Sequence, residues 1–348
     1  MKKKRWLIVT LIILAVILLL VALAAAAVVI YANQKVNLMP RVTGTVAPPS
    51  PSEMIEFSIA NTEAPDPSFT GPVYEPEEIT WPTLPDVPLE ESAEVVNILL
   101  VGSDYSFGGR ARSDAMILCT LNQKDKTVTL TSLMRDMYVK IPGYAANRIN
   151  ASYFFGGLPL LNQCIEENFG VVIDGNFLVD FDSFKSVVDL VGGVDIALNQ
   201  AEVNYMNAEK NWTSDTKYLA GTFVVGTNCL NGDAALAYAR NRTVGMWDFE
   251  RTQRQRNVLM AVFNKCKKMS IAQLDELLNQ LLPMVTTDME NSQIWDLTKT
   301  VIPMLSGLSV KTNRLPADGS YQNAWVSGMS VLIPDLEENR QILFEIMN

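Results

Sequence analysis

Apolar and polar positions follow the pattern of β-strands in the part of the chain that begins near residue 95. Segments 95–101 and 114–121 are short, mostly apolar runs, and segment 127–133 alternates apolar with polar residues. Such runs are typical of buried and half-buried strands. The polar stretch NQKDK at 122–126 is short enough to connect antiparallel neighbours. The three segments are therefore predicted to form an antiparallel meander.

Helical periodicity dominates the rest of the chain. In segment 251–269, the apolar residues between Val258 and Phe263 recur at the spacing of one buried helical face. Because strands and helices are interspersed without a repeating period, residues 95–348 are predicted to form one domain of the α/β or α+β class. Helices are predicted at 158–169, 181–191, 231–240, 251–269, 271–282, 293–304 and from Pro334 onward, with further strands at 171–181 and around Val310.

The N-terminus is predicted to be a membrane anchor. After residues 1–5 (MKKKR), segment 6–32 has no charged residue and exceeds the roughly 20 residues that cross a bilayer. A cleavable signal peptide is the alternative, but its apolar core is usually only about 7–15 residues long. By the positive-inside rule, residues 1–5 are expected in the cytoplasm and the chain beyond residue 32 outside the cell. A single-pass protein of the cell membrane is predicted.

Composition changes between residues 33 and 94. Eleven of the seventeen prolines lie between Pro40 and Pro88, in a stretch that is also rich in acidic residues. Proline keeps a chain extended, and like charges spread it. Residues 33–94 are therefore predicted to be a disordered linker between the anchor and the domain.

The absence of one residue type limits the chemistry of the domain. The formal net charge is −10, and the chain contains no histidine. Ser-His-Asp and Cys-His mechanisms and a histidine-ligated zinc site are therefore excluded. The four cysteines are too widely spaced for a zinc motif, and they are expected to be buried thiols or to form a stabilising disulfide. Catalysis would depend on carboxylates, arginine, lysine or a metal ion held by oxygen.

Charged residues converge at the ends of the predicted strands. In an antiparallel meander, Asp104 follows the first strand and Asp114 opens the second, so both are expected at one edge of the sheet. Arg135 follows the third strand at the same edge, and Arg112 lies in the predicted loop 102–113. Two carboxylates there would suit Mg²⁺ or Mn²⁺. The structural alternative is that both aspartates cap turns and pair with Arg112.

Five of the thirteen arginines lie in YARNRTVGMWDFERTQRQR, residues 238–256. Arg251, Arg254 and Gln255 stand at i, i+3 and i+4, so they share one helical face. They are expected in the first turn of a helix, where the macrodipole favours an anion. Arginine also grips phosphate with two donors at once. An oligo-anion ligand is therefore predicted.

Carboxylates and arginines without histidine are the components of many phosphoryl-transfer sites. The chain has no G-x-x-x-x-G-K-[ST] loop and no dinucleotide fingerprint, so a nucleotide is not the expected substrate. The domain is also predicted to lie outside the cell, where ATP is scarce. A pyrophosphate attached to a membrane lipid is the better candidate.

Seven ordered blocks resemble the LytR-CpsA-Psr family of Gram-positive cell envelopes: NILLVGSD, RARSDAMIL, SLMRDMYVKIPG, RINASYFFGG, VDFDSFKSVVDLVGGVDI, LNGDAALAYARNR and DFERTQRQR. The resemblance covers residues 95–348. It implies a three-layer α/β/α fold with a central mixed sheet and an apolar groove for a polyprenyl chain, behind one transmembrane helix. It also implies a phosphotransferase that moves an anionic glycopolymer, of teichoic acid or capsule type, from an undecaprenyl-pyrophosphate carrier to peptidoglycan.

The resemblance also assigns roles to individual residues. It implies Mg²⁺ (or Mn²⁺) on Asp104 and Asp114, and catalysis by these two residues with Arg135. Pyrophosphate binding is implied for Arg112, Arg135, Arg240, Arg242, Arg254 and Gln255. The implied partners are undecaprenyl-pyrophosphate-linked glycan, the peptidoglycan acceptor and the membrane, with no nucleic acid. Two alternatives stay open: hydrolysis of a lipid pyrophosphate by water, and a membrane regulator that binds anions without turnover.

Overall fold

The computed structural model describes residues 34–42, 46–62, 69–84, 94–107, 110–212, 216, 223–245, 247–304 and 307–348. The predicted cytoplasmic residues 1–5 and the predicted transmembrane segment 6–32 lie outside these ranges. Among the helices inside the ranges, none combines the length and apolarity that crossing a bilayer requires.

Strands and helices are interspersed along the described chain. The first half contains α1 (Pro51–Asn61), β1 (Val73–Tyr74), β2 (Val95–Phe107), β3 (Arg110–Asn122), β4 (Thr127–Leu133), β5 (Tyr138–Val139), β6 (Asn147–Arg148), α2 (Asn150–Phe169), β7 (Gly175–Asp180) and α3 (Phe181–Leu190). The second half contains β8 (Val194–Leu198), α4 (Gln200–Met206), β9 (Gly226–Leu230), α5 (Gly232–Arg240), α6 (Trp247–Cys266), α7 (Ile271–Leu281), β10 (Thr286–Thr287), α8 (Asn291–Met304), β11 (Ser309–Leu315), β12 (Tyr321–Val326), β13 (Met329–Pro334) and α9 (Leu336–Met347). Each helix predicted from periodicity coincides with an observed helix.

A six-stranded mixed sheet forms the centre of the domain, in the order β10-β7-β2-β3-β4-β11. β2, β3 and β4 pair as antiparallel neighbours, which confirms the predicted meander. β7 joins β2 in parallel and β11 joins β4 in parallel, so the predicted mixed sheet is also confirmed. Because side chains alternate along a strand, Leu99 packs in the apolar cluster with α2 and α9, whereas Ile98 packs in the cluster with α8. Helices therefore cover both faces of the sheet.

The hairpin of β2 and β3 is longer than predicted. The loop predicted at 102–113 is wrong, because both strands continue into it and only residues 108–109, outside the described ranges, separate them. Asp104 consequently lies within β2, opposite Arg112 on β3. The apolar runs marked the buried part of each strand, and the polar residues beyond them still pair across the ladder.

Much of the segment predicted to be a disordered linker, 33–94, packs on the domain. In α1, Phe57 is 4% exposed and stacks on Phe154 with ring centroids 4.6 Å apart. β1 pairs in parallel with β12, and Trp81 stacks on Tyr138 at 6.1 Å. The prediction of disorder is wrong for these described parts. The proline-rich composition concealed aromatic residues whose burial offsets the entropy lost on ordering.

Residues 34–42, which we call the strap, also lie on the domain. Val36 and Met39 are buried in the apolar cluster that contains Ile98. The Val42 amide donates to the Thr287 carbonyl at 2.9 Å, and the Thr287 amide donates to the carbonyl of Pro40 at 3.0 Å. The strap is therefore fixed at the β10 edge of the central sheet.

Candidate functional site

A cavity of about 770 Å³ lies between the central sheet and helices α3, α5, α6 and α7. Along both β3 and α6, its lining changes from charged to apolar residues. The charged part, which we call the arginine end, comprises Arg112, Asp114, Arg135, Arg148, Arg240, Arg242, Arg251 and Gln255. The apolar end includes Leu100, Ile117, Phe177, Leu259, Val262, Leu281 and Val285. Six of the eight predicted site residues therefore line one cavity.

Asp114 is the acidic centre of the arginine end. Gly102 pairs with Ala115 and Ser103 with Ser113, so Asp114 is the extra residue of a β-bulge. Bulges re-aim side chains and are common beside functional sites. Arg135, directly after β4, donates from Nη1 to Asp114 Oδ1 at 2.6 Å. The convergence predicted for Asp114 and Arg135 is observed.

The Asp114 carboxyl is held in its ionised form. Burial would raise its pKa, but the charges of Arg135 and Arg251, together with the hydrogen bond from Arg135, outweigh burial and lower that pKa from 3.8 to about 2. A carboxyl with a depressed pKa stabilises the folded state above its unfolded pKa, and this contribution is lost as the pH falls through the folded value.

We therefore expect the contribution of Asp114 to the free energy of unfolding to disappear between about pH 4 and pH 2. Acid denaturation of the wild type and of Asp114→Asn measures it. The two stability curves should be separated above pH 4 and should converge towards pH 2. A separation that stays constant over this window would contradict the ionised, arginine-paired state of Asp114.

Arg240 and Arg242 enter the cavity from the end of α5. The Asn231 side chain caps the start of this helix by accepting from the Ala234 amide at 3.0 Å, and the alanine-rich body of α5 is buried. The position of its last residue, Arg240, is thus fixed by the core. The Arg240 guanidinium lies over the Phe181 ring, 4.6 Å from its centroid. Such a contact between a cation and an aromatic ring is favourable, and it holds the guanidinium against the ring.

Arg251 and Gln255 lie one turn apart on α6, and both line the cavity. Because α6 begins at Trp247, they lie in its second and third turns, and the prediction that places them in the first turn is wrong. The macrodipole falls off within the first turn, so it does not explain them. Arg251 is 2% exposed, and its charge helps to lower the pKa of Asp114. It is missing from the predicted ligands, although its spacing to Gln255 signals a shared face.

Arg254 does not line the cavity, and its predicted role as a pyrophosphate ligand is corrected. It is 2% exposed, and its Nε donates to Glu202 Oε1 at 2.9 Å. Its Nη1 donates to the Asn241 carbonyl at 3.0 Å and its Nη2 to the Val244 carbonyl at 2.8 Å. The guanidinium is therefore committed to the protein. It positions segment 241–244, which contains Arg242, against α4 and α6.

Loss of the Arg254 charge is expected to destabilise the fold. Because Glu202 is 6% exposed, Arg254→Met would leave a buried carboxylate without its cation, at a cost of about 3–5 kcal/mol. Arg254→Met combined with Glu202→Leu should recover much of this loss, since replacing both charges by apolar groups is often tolerated. Denaturant unfolding of both variants is the measurement. If Arg254→Met lost no more than about 1 kcal/mol of unfolding free energy, which is the range of an exposed ion pair, the buried Arg254–Glu202 pair would be contradicted.

Arg148 is a cavity arginine that is missing from the predicted site residues. It ends β6, and its Nη2 and Nε donate to the Ser330 carbonyl at 2.7 and 3.1 Å. Its Nε also lies 3.8 Å from Asp136 Oδ1. In the sequence it stands alone in the block RINASYFFGG, without a charged residue at helical or strand spacing. The fold alone brings it to the arginine end.

One described carboxylate at the arginine end, that of Asp114, suits a metal ion shared with a ligand. The backbone register places Asp104 opposite Arg112, while its side chain lies outside the described part. In the residues that the structure does describe, no three His, Cys, Asp or Glu side chains group as a metal site. Mg²⁺ usually takes one or two carboxylates and completes its shell with water and phosphate oxygens. The ionised Asp114 fits that donor set.

Comparisons with known proteins agree with this geometry. The model of the LytR_cpsA_psr family matches residues 74–346, which include part of the segment predicted to be a linker. The polyisoprenyl-teichoic acid–peptidoglycan teichoic acid transferase TagU of Bacillus licheniformis is 31% identical over 254 residues, covering 70% of this chain and 77% of that protein. TagU of Bacillus cereus is 32% identical over 230 residues, covering 65% and 70%.

Solved structures give the same relationship. The structure described as TagT bound to LIIa-WTA has a TM-score of 0.58 and 25% identity, and covers 73% of this chain and 90% of that one. B. subtilis TagV has a TM-score of 0.56 and 28% identity, and covers 74% and 98%. The curated relatives are enzymes, and the family match extends over most of this chain. The resemblance read from the seven sequence blocks is confirmed: the chain belongs to the LytR-CpsA-Psr family.

Proposed function

We propose that this protein transfers an anionic glycopolymer, of teichoic acid or capsule type, from an undecaprenyl-pyrophosphate carrier to peptidoglycan. The observation that supports this most directly is the cavity, whose lining changes from arginines to apolar side chains. A polyprenyl pyrophosphate has the same order, with an anionic head and an apolar chain. The TagU relatives are named for a polyisoprenyl-linked donor and a peptidoglycan acceptor.

The arginine end matches the charge of a pyrophosphate. Six arginines line the cavity together with two carboxylates, Asp114 and Asp180, so the lining carries a net charge of four positive units (six minus two). The chain as a whole has a formal charge of −10 and would otherwise repel an anionic substrate. Bidentate arginine forks also fix the orientation of phosphate oxygens. We assign the head group to Arg112, Arg135, Arg240, Arg242, Arg251 and Gln255.

The apolar end has room for part of a polyprenyl chain. On α6, lining positions run from Arg251 to Val262, which is about 16 Å of helix. Phe177 on β7 and Leu281 at the end of α7 continue the apolar wall. Burial of an alkene chain against such side chains contributes about 25 cal/mol per Å² removed from water. Affinity for the carrier would thus come from both ends of the cavity.

In the proposed reaction, a hydroxyl oxygen of a peptidoglycan sugar attacks the phosphorus that carries the glycan. An oxygen–phosphorus bond forms, the bond from that phosphorus to the bridging oxygen breaks, and undecaprenyl phosphate leaves with the electron pair. Because the chain has no histidine, the hydroxyl proton passes to a carboxylate, Asp104 or Asp114, or to a phosphate oxygen. Arg135 and its neighbours stabilise the charge of the leaving group. Mg²⁺ on Asp104 and Asp114 would supply further neutralisation of phosphate oxygens.

The test uses the purified full chain in lipid bilayers, a donor lipid with a radiolabelled glycan, and peptidoglycan. Label is expected on peptidoglycan, with release of undecaprenyl phosphate. Label released as free glycan would mean that the protein hydrolyses the donor and does not transfer the glycan. A donor that binds and stays intact would mean a regulator without turnover.

The topology is part of the proposal: residues 1–5 lie in the cytoplasm, segment 6–32 crosses the membrane, and the domain lies outside. The charge-free segment and the basic residues before it support this orientation. Protease added to intact protoplasts should digest the domain while an N-terminal tag stays protected. Survival of the domain in protoplasts whose cytoplasm remains sealed would contradict the orientation.

A further inference from the structure

The strap joins the domain through side chains as well as backbone. The Lys35 amine contacts the Asp275 carboxylate and the side-chain oxygen of Asn279, both on α7. Arg41 donates from Nη2 to Asn291 Oδ1 at 2.5 Å, at the start of α8. The strap, α7 and β10 therefore form one continuous border of the domain, which we call the strap edge.

The strap edge is tied closely to segment 6–32. Gln34, the first residue of the strap, follows Ala32 by two residues. An extended chain spans at most about 3.6 Å per residue, so these two positions are no more than about 7 Å apart. The headgroup region on one side of a bilayer is about 5–8 Å thick. If segment 6–32 crosses the membrane, the start of the strap lies close to the membrane surface.

The strap edge exposes the side chains expected at such a surface. Leu38 on the strap is 39% exposed, and Leu278 on α7 is 41% exposed. Leu278 directly precedes Asn279, the residue that Lys35 contacts. Exposed apolar side chains such as these leucines can be buried at the boundary of headgroups and acyl chains. Single exposed leucines are common, so the chain length to segment 6–32 is what identifies the partner.

The same edge borders the apolar end of the cavity. Leu281 lines the cavity from α7, three residues after the exposed Leu278, and Val285 lines it just beyond that helix. Residues three positions apart on an α-helix are neighbours on one side of it. The exposed Leu278 therefore lies within one helical turn of Leu281 in the apolar wall.

We propose that the strap edge rests on the outer surface of the membrane and holds the apolar end of the cavity towards the lipid. The partner is the bilayer itself. The identity of the lipid that enters the cavity rests on the proposed function, whereas the docking rests on the strap contacts and on segment 6–32. A polyprenyl chain would then enter beside α7 while its pyrophosphate reaches the arginine end. The strap acts as the contact that keeps this orientation.

The experiment compares two labelled positions in the full chain, inserted in lipid nanodiscs that carry nitroxide quenchers at the headgroups. A fluorophore is attached to a cysteine at one of two positions, Leu278→Cys at the strap edge or Val73→Cys. Val73 is 64% exposed. Val73 lies on β1, which belongs to the separate sheet β1-β12-β13. In this sheet, β12 follows β11 along the chain, and β11 forms the edge of the central sheet opposite β10. The exposed Cys229 and the partly exposed Cys266 are replaced by serine in both. Burial raises the pKa of the Cys119 and Cys164 thiols to about 12, which keeps them unreactive.

Quenching is expected at position 278, with little loss of emission at position 73. Adding Lys35→Ala and Arg41→Ala should reduce quenching at position 278, because the strap no longer fixes the orientation. Equal quenching at the two positions, stronger quenching at position 73, or no quenching at either would overturn the proposal. None of these readings needs turnover, so a failure of glycan transfer with the expected quenching pattern would reject the proposed function alone.

Discussion

Arg240→Ala is expected to lower glycan transfer by about 10- to 100-fold while the protein stays folded. A hydrogen bond to a charged group contributes roughly 1.5–3 kcal/mol, and about 1.4 kcal/mol corresponds to a factor of ten. The Arg240 guanidinium lines the cavity, and the Phe181 ring supports it from one side, which fixes its position in the cavity. Arg240→Lys should recover part of the loss, because lysine keeps the charge but not the planar fork.

Arg314→Ala is the matched control. Arg314 also lies over a phenylalanine ring, 4.2 Å from the centroid of Phe249, but it does not line the cavity. Binding of a polyprenyl pyrophosphate and thermal unfolding would be measured for both variants. We expect weaker binding only in Arg240→Ala. Equal affinity of the wild type and Arg240→Ala would mean that this arginine serves the structure and not the substrate.

The arginines of α6 illustrate what helical spacing alone can and cannot predict. Arg251 faces the cavity, Arg254 clamps Glu202, and Arg256 is 5% exposed with its Nη1 donating to Ser132 Oγ at 2.6 Å. Successive residues of a helix are about 100° apart, which predicts that Arg256 leaves the face of Gln255. The partner of Arg254, Glu202, lies 52 residues away in the sequence. No local pattern therefore distinguishes an arginine that lines the cavity from one that pairs with a buried carboxylate.

The pairing of Asp114 with Arg135 was predictable because it follows from strand order. Three neighbouring antiparallel strands bring the start of the second and the end of the third to one edge, whatever the details of the loops. The bulge that aims Asp114 into the cavity was not predictable, since it depends on a one-residue shift between Gly102 and Ser103 in the ladder. Local alternation of apolar residues carries no information on such a shift.

The strap and α1 escaped prediction for a different reason. Composition averages proline and acidic residues over a long segment, whereas the packing of that segment depends on a few apolar anchors such as Phe57, Trp81 and Val36. Each anchor inserts into a surface built by distant parts of the chain. An average over composition hides these contacts, because the free energy of docking is concentrated in single buried side chains.

Asp114→Asn is expected to abolish most glycan transfer while leaving donor binding intact or stronger. The substitution keeps the size of the side chain and an oxygen that accepts from Arg135, but it removes a negative charge among Arg112, Arg135 and Arg251. The negative charge of a pyrophosphate would then not be repelled by the Asp114 carboxylate, which favours binding of the donor. In the proposed reaction, transfer loses a carboxylate that would take a proton or hold Mg²⁺, and a positioned acid or base alone contributes about 10²- to 10⁴-fold.

Asp195→Asn is the matched control for this substitution. Asp195 also pairs with a cation, since Lys265 Nζ lies 2.8 Å from its Oδ2, but the pair lies at the surface, away from the arginine end. Neither Asp195 nor Lys265 lines the cavity, and a surface ion pair contributes little to stability, so transfer by Asp195→Asn should equal that of the wild type. Donor affinity, initial transfer rate and the effect of a chelator would be measured for the wild type and both variants. If Asp114→Asn bound the donor more weakly but transferred glycan at an undiminished rate, the Asp114 carboxylate would have a structural role at the arginine end and no catalytic one. Full transfer by the wild type in chelator would remove Mg²⁺ from the proposed reaction and leave the hydroxyl proton to Asp104, Asp114 or a phosphate oxygen.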